Sequence, residues 1–320
     1  MIECLWYGIG GKTGIATYTK EITQFNQNLV NFKVSKIRKF PLDFSLARTF
    51  KNYYKEKLWA KILGNFILTP NIVKIKNSPA DLIHSNQYFI IGNKIPWVLS
   101  FDHLVPIPPF TGPKQEIDAR LTQWKYKHFP HFEFQFKLLN QILKNCSLML
   151  AWSQKAKELA SLWFPLVKNK IKVLYPGFKS VKSNSKSNSN KNEIPTLLFV
   201  GHNFEQKGGP ILLRAISKIS LRFKLMIISN ITNLNYLKII KKDTRIEHYQ
   251  FLSRETLFKK IYPKADIFVF PTLQDAFGLV LLEAMNFSLP IIATNIHAIP
   301  EIIQNTKSGF LINPYDYKTL

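Results

Sequence analysis

Residues 268–301, FVFPTLQDAFGLVLLEAMNFSLPIIATNIHAIPE, decide the fold that this sequence predicts. The stretch opens within a short apolar run, IFVF (267–270), which Pro271 ends. VLLEAM (280–285) then combines strong helix formers with apolar residues three and four positions apart. IIAT (291–294) is a second apolar run of strand length. This alternation of strand, helix and strand predicts a parallel α/β sheet.

Two acidic residues lie on either side of the start of the predicted helix. Asp275 is in the loop before it, and Glu283 lies eight positions later, about two helical turns along. Between them, Ala276, Phe277 and Gly278 place backbone N–H groups where phosphate or an electron-rich oxygen binds well. Carboxylates accept hydrogen bonds from vicinal hydroxyl groups, so a nucleotide-sugar suits this arrangement. From spacing alone, a solvated aspartate and an exposed helical glutamate remain the alternative.

Residues 265–301 resemble the signature of the family 4 retaining glycosyltransferases, in which an acidic residue precedes a glutamate by eight positions. The chain departs from the signature at Asp275, where glutamate is usual, and at Ala276 and Ser288, where glycine is usual. The resemblance implies the GT-B fold, an α/β architecture of two Rossmann-like domains whose parallel sheets face a central cleft. It also implies transfer from a nucleoside diphosphate sugar with retention of anomeric configuration and without a metal or other cofactor.

A glycine-rich loop, GIGGKTG (8–14), follows a predicted strand at the start of the chain. It is not a P-loop, because Trp6 occupies a position where that motif has glycine. It is not a dinucleotide-binding fingerprint either, because Thr13 occupies a glycine position of that motif. Its glycines allow a ligand to approach the backbone closely. The loop resembles the first cleft loop of family 4 enzymes at Gly10, Gly11 and Gly14.

Two further places carry candidate site residues. Asp102 and His103 follow a predicted buried strand, and the resemblance implies a role there in orienting the acceptor. A capped strand end with a surface histidine is the alternative.

Lys207 comes just before a predicted helix, where an ammonium group next to N–H groups suits a pyrophosphate. The resemblance assigns Lys207 to the leaving diphosphate and puts His202 where an arginine is common. An ordinary surface lysine is the alternative.

The domain organisation is predicted from a change in composition. Residues 179–193 are rich in Ser, Asn and Lys and almost lack apolar residues, which predicts a mobile linker. It separates an N-terminal acceptor domain (1–178) from a C-terminal nucleotide-sugar domain (194–320). Because family members usually continue through helices that return to the first domain, we expect the second domain to be incomplete at its end.

The chain is strongly basic, with a net charge of +24 that is mostly in its first 193 residues. Contact with an anionic membrane surface is one explanation, and the Lys- and Asn-rich composition of an AT-rich genome is another. Nucleic acid is a weaker candidate because no basic helix with interleaved aromatic residues stands out. The sequence has no apolar run of membrane-spanning length and no cysteine framework, and its first residues do not lead us to expect a signal peptide. A cytoplasmic location is therefore expected, with peripheral contact at the inner face of the membrane left open.

These observations together predict a glycosyltransferase. Asp275 is expected to contact the sugar hydroxyls and Glu283 the ribose. Lys207 and the amides of residues 276–278 are expected to contact the diphosphate and the sugar. The acceptor, which is a sugar, a lipid-linked sugar or another small molecule, is expected near Asp102 and His103. Two alternatives remain: an epimerase of nucleotide-sugars, which needs no acceptor, and an inactive or membrane-docking partner protein.

Overall fold

The computed structural model describes residues 2–7, 30–35, 72–75, 79–87, 89–92, 94–104, 139–178, 180–181 and 194–320. They fall into two compact units, of which the second includes Phe178–Leu320. Most of the predicted linker, residues 182–193, lies outside the described residues, so its position and mobility stay a prediction. Within the described residues, no helix has the length and apolar character that crossing a lipid bilayer requires.

Among the described residues, the first unit has eight strands: β1 (Ile2–Tyr7), β2 (Val30–Ser35), β3 (Ile72–Lys74), β4 (Leu82–Asn86), β5 (Phe89–Ile91), β6 (Trp97–Phe101), β7 (Leu148–Ala151) and β8 (Ile171–Val173). Six of them form a parallel sheet in the order β2-β1-β4-β6-β7-β8, and β3 pairs with β5. Helix α1 (Gln154–Trp163) follows β7, and the Oγ of Ser153 accepts the N–H of Ala156 at 2.9 Å. Ser153 thus caps α1.

Residues 194–320, the described main part of the second unit, contain six strands: β9 (Thr196–Asn203), β10 (Lys224–Asn230), β11 (Ile246–Tyr249), β12 (Ile267–Phe270), β13 (Ile291–Thr294) and β14 (Gly309–Ile312). They form one parallel sheet in the order β11-β10-β9-β12-β13-β14. The chain therefore builds outward from β9 in one direction and then outward from β12 in the other, which is the doubly wound order of Rossmann folds.

The helices of the second unit connect these strands. They are α2 (Gly209–Ile216), α3 (Leu234–Lys242), α4 (Arg254–Thr256), α5 (Leu279–Asn286) and α6 (Ile299–Ile302). After α4 the chain continues as a π-helix, Leu257–Ile261, and a 3₁₀ turn, Tyr262–Lys264. The parallel α/β sheet predicted from residues 267–301 is confirmed, since β12, α5 and β13 follow one another and β12 pairs in parallel with β13.

Both faces of the second sheet are buried, which explains the continuous apolar runs of its strands. In β12, Phe268 and Phe270 pack into one core while Val269, between them, packs into the other. The same alternation holds in β9, where Leu198 and Phe199 face opposite cores. Successive side chains of a strand point to opposite faces, so each apolar run supplies both cores.

Candidate functional site

The candidate site of the second unit lies at the carboxyl ends of β9 and β12. These two strands are neighbours at the point where the strand order reverses, and open α/β sheets bind their ligands in the crevice at such a point. The loop after β9 carries Lys207 and the loop after β12 carries Asp275. The sheet order thus brings together two predicted residues that are 68 positions apart in the chain.

Lys207 and Asp275 form a partly buried ion pair. The Nζ of Lys207 lies 2.7 Å from Oδ2 of Asp275 and also donates to the carbonyl oxygen of Gln274 at 2.9 Å. The two side chains are 19% and 17% exposed. The ring of Phe270 lies 5.9 Å from the ammonium group, within the range of a cation–π contact. The ammonium group is therefore held in place while part of it still reaches solvent.

Backbone and side-chain hydrogen bonds join the two loops. The N–H of Leu273 donates to the carbonyl oxygen of Gln206 at 2.9 Å, and the amide of Gln206 donates to that of Gln274 at 2.5 Å. Thr272, which is fully buried, donates through its hydroxyl group to Gln274, and the hydroxyl group of Thr294 donates to the carbonyl oxygen of Thr272 at 2.6 Å. The loops are rigidly connected, so Lys207 and Asp275 have a fixed geometry before any ligand binds.

Two glycines shape this connection. Gly208 adopts a left-handed conformation with φ of 81°, and a Cβ there would overlap the backbone of Pro271. Gly278, with φ of 91°, begins α5 in the same way. The N–H of Phe277 donates to Asp275 at 3.2 Å, so the carboxylate also orders the start of α5. Ala276 lies between Asp275 and Phe277 in this loop. The first N–H groups of α5 have no acceptor within the helix.

Glu283, on α5, is held at both of its oxygens. The Nε of Arg254 donates to Oε1 at 3.2 Å, and the hydroxyl group of Tyr262 donates to Oε2 at 2.9 Å. The glutamate side chain is 13% exposed and Tyr262 is completely buried. Burial, and then the negative charge of Glu283, raise the pKa of Tyr262 well above its usual value. The phenol therefore stays protonated and donates to the carboxylate.

An aromatic cluster supports Arg254 and Tyr262. Tyr262 stacks on Phe287 with ring centroids 5.0 Å apart, and Phe258 lies 5.6 Å from Tyr262. The guanidinium group of Arg254 lies 4.6 Å from the ring of Phe258 and 5.5 Å from that of Phe178. These contacts fix both hydrogen-bond donors of Glu283.

In the first unit, Asp102 and His103 lie at the carboxyl end of β6. The Oδ1 of Asp102 accepts the Nδ1–H of His103 at 2.6 Å and also accepts the side-chain amide of Gln87. Asp102 is nearly buried, whereas the His103 side chain is 41% exposed. Because the carboxylate accepts from Nδ1–H, it sets the tautomer and orientation of the imidazole. The predicted pair is thus in contact, and its role with an acceptor stays a prediction.

The remaining predicted residues have different outcomes. His202 is exposed at the end of β9 and lines a pocket of about 220 Å³ together with Asn203, Glu205 and Tyr236. Gly10, Gly11 and Gly14 lie outside the described residues, so their role stays a prediction. No group of three or more metal-ligating side chains occurs in the part of the chain that the structure describes. Whether the activity is independent of metal stays a prediction.

Sequence reasoning missed four residues that act on the predicted ones: Gln87, Arg254, Tyr262 and Gln274. Each reaches its partner through the fold, because strand ends or helices far apart in the sequence become neighbours. Arg254 gave one local signal, since it follows Ser253, whose Oγ accepts the N–H of Thr256 at 3.1 Å as a helix cap. A cap predicts where a helix begins, but it does not predict which carboxylate the helix meets.

Comparison with known proteins agrees with this architecture. The family described as Glycosyl transferases group 1 matches residues 194–320. An uncharacterized glycosyltransferase of Methanocaldococcus jannaschii, MJ1178, is 30% identical over 256 residues, which cover 76% of this chain and 65% of that protein. The chain spans about half the length of the other curated relatives that head the comparison.

Solved structures show the same fold at low identity. WaaG, a glycosyltransferase involved in lipopolysaccharide biosynthesis, matches with a TM-score of 0.63 at 15% identity over 99% of this chain and 88% of its own. HepE of Anabaena, in complex with UDP and glucose, matches with a TM-score of 0.60 at 14% identity over 99% of this chain and 87% of its own. The GT-B fold predicted from the sequence is confirmed, and residues 194–320 match the family of group 1 glycosyltransferases.

Proposed function

We propose that this protein transfers a glycosyl group from a nucleoside diphosphate sugar to the hydroxyl group of a small acceptor, with retention of anomeric configuration. The observation that carries the proposal is the ion pair of Lys207 and Asp275 at the reversal point of the second sheet. It supplies a fixed cation and a fixed carboxylate next to the N-terminus of α5. The cation suits a diphosphate, and the carboxylate accepts hydrogen bonds from sugar hydroxyl groups. The complex of HepE with UDP and glucose gives independent support.

In the proposed reaction, the bond between the anomeric carbon and the diphosphate oxygen breaks, and its electron pair goes to the diphosphate. The acceptor oxygen forms the new bond to the anomeric carbon, and its proton passes to the departing diphosphate oxygen. Lys207 and the N–H groups at the start of α5 stabilise the charge that develops on the diphosphate. Asp275 accepts hydrogen bonds from the sugar and Glu283 from the ribose. His103, which Asp102 holds in place, orients the acceptor.

The test combines donor binding with product analysis. We expect UDP-glucose or another nucleoside diphosphate sugar to raise the melting temperature, because a ligand that binds only the folded state stabilises it. Lys207→Ala should abolish this shift, whereas Lys218→Ala, which removes an exposed lysine at the end of α2, should leave it unchanged. NMR of the product formed with an added acceptor then reports the anomeric configuration.

Three results would contradict the proposal. The first is a Lys207→Ala variant that binds and turns over like the wild type. The second is a product of inverted configuration, which would refute retention alone. The third is conversion of the donor sugar to its epimer in the absence of any acceptor, which would identify an epimerase instead.

A further inference from the structure

The carboxylate of Glu283 is held more firmly than a surface glutamate on a helix needs to be. Arg254 and Tyr262 each bind one of its two oxygens, so the carboxylate cannot rotate without losing one of these hydrogen bonds. The predicted contact of Glu283 with ribose requires a defined orientation, because two vicinal hydroxyl groups must meet the carboxylate together.

We propose that Arg254 and Tyr262 are positioning residues that hold Glu283 for the ribose diol and thereby make this chain discriminate ribonucleotide donors from 2′-deoxyribonucleotide donors. This inference rests on the function proposed above. It adds two residues of this chain to the recognition of the nucleotide and states a selectivity that they produce.

The segment between Arg254 and Tyr262 brings both side chains to the same carboxylate. Arg254 begins α4 and Tyr262 follows the π-helix Leu257–Ile261. A π-turn is rare and occurs frequently at functional sites. Here it connects two residues, eight positions apart, whose side chains both reach the same carboxylate.

Each donor is fixed independently of Glu283. The ring of Tyr262 packs against the rings of Phe258 and Phe287, which also stack on each other, and it is completely buried. The guanidinium group of Arg254 packs on Phe258 and Phe178. A guanidinium group that stacks on aromatic rings has a restricted orientation, so its N–H groups are pre-organised. The donors therefore determine where the carboxylate points.

Stability alone does not explain the arrangement. A buried ion pair gains little net folding free energy, because removing both charges from water costs about as much as their attraction returns. Glu283 is 13% exposed and Arg254 32%, so the pair lies largely out of solvent. An ionised and oriented carboxylate is useful where a polar ligand must be bound, and α5 begins at the candidate donor site.

The experiment measures the ratio of dissociation constants for a nucleotide and its 2′-deoxy form, by calorimetry, with UDP, ADP and GDP and their 2′-deoxy counterparts. A hydrogen bond to a charged group contributes enough to make the 2′-deoxy form bind roughly 10- to 100-fold more weakly to the wild type. In Arg254→Met and Tyr262→Phe we expect this ratio to fall below about threefold, and Arg254→Lys should restore part of it. Arg222→Met, which changes an exposed arginine, should keep the wild-type ratio.

The Glu283→Gln variant separates the two hypotheses. If this variant keeps the wild-type ratio of dissociation constants, Glu283 does not recognise the ribose. The inference is then overturned, and the proposed function loses its ribose contact. If it loses the ratio while Arg254→Met and Tyr262→Phe keep it, the positioning role is overturned and the role of Glu283 stands. Variants that weaken binding of both nucleotide forms equally would indicate a structural role and would also overturn the inference. Failure of all three nucleotides to bind would overturn the proposed function and this inference together.

Discussion

Gly208→Ala is the substitution whose effect the structure defines most sharply. Gly208 has φ of 81°, a conformation that costs an L-residue about 1–2 kcal/mol. A Cβ built there lies 2.5 Å from the carbonyl carbon of Pro271 and closer still to its oxygen. Because the obstacle is backbone, the loops after β9 and β12 must move apart, at a cost of about 1–3 kcal/mol. The free energy of unfolding should fall by about 2–5 kcal/mol.

The assay is urea unfolding at equilibrium, followed by intrinsic fluorescence. With a denaturant slope of about 2 kcal/mol per M, the transition should shift down by about 1–2.5 M. Gly177→Ala is the matched control, since a Cβ at Gly177 meets nothing within 4 Å. It should change stability by less than about 0.5 kcal/mol. A Gly208→Ala protein as stable as the control would refute the close approach of the two loops on which the site depends.

Three further perturbations test other parts of the structure. In a double-mutant cycle, Lys207→Met and Asp275→Asn should each destabilise the fold by about 1–3 kcal/mol but the double variant by less than their sum, and additive unfolding energies would contradict the pair. Burial lowers the pKa of His84 from 6.5 to about 4, so the unfolded state binds more protons between these values. Stability should therefore fall by about 3 kcal/mol as the pH drops through this window, and His84→Gln should lack that loss in urea titrations. Burial raises the pKa of the Cys146 thiol to about 12, so iodoacetamide should modify it at about pH 8 only after unfolding, and rapid modification of the native protein would contradict its burial.

The sequence predicted the second unit well because its signals are local. Residues 267–270, 280–285 and 291–294 carry apolar periodicity and breakers that fix β12, α5 and β13 within one or two positions. Lys207 was predicted to precede a helix, and α2 begins two residues later at Gly209. The predicted pair of Asp102 and His103 is also in contact. These features depend on neighbours in the chain.

The partners of the site residues could not be predicted, because they depend on the strand order. Nothing in the sequence near Asp275 indicates that Lys207 will neutralise it, since the contact exists only because β9 and β12 are adjacent. Likewise, the sequence around Glu283 contains no basic residue, and Arg254 reaches it from the region after β11. Spacing had suggested two carboxylates available to hydroxyl groups, whereas the structure pairs each of them with a cation.

This pairing has a consequence for ligand selection. The molecule carries a net charge of +24, yet at the candidate site Lys207 and Arg254 are matched by Asp275 and Glu283. A simple anion that takes the place of Asp275 on Lys207 leaves a largely buried carboxylate without its partner, which costs about 1–3 kcal/mol. A ligand that brings both a diphosphate and hydroxyl groups avoids this cost, because the hydroxyl groups replace the ammonium group as donors to Asp275. The ion pair therefore disfavours inorganic phosphate and favours molecules that combine negative charge with hydrogen-bond donors, as nucleotide-sugars do.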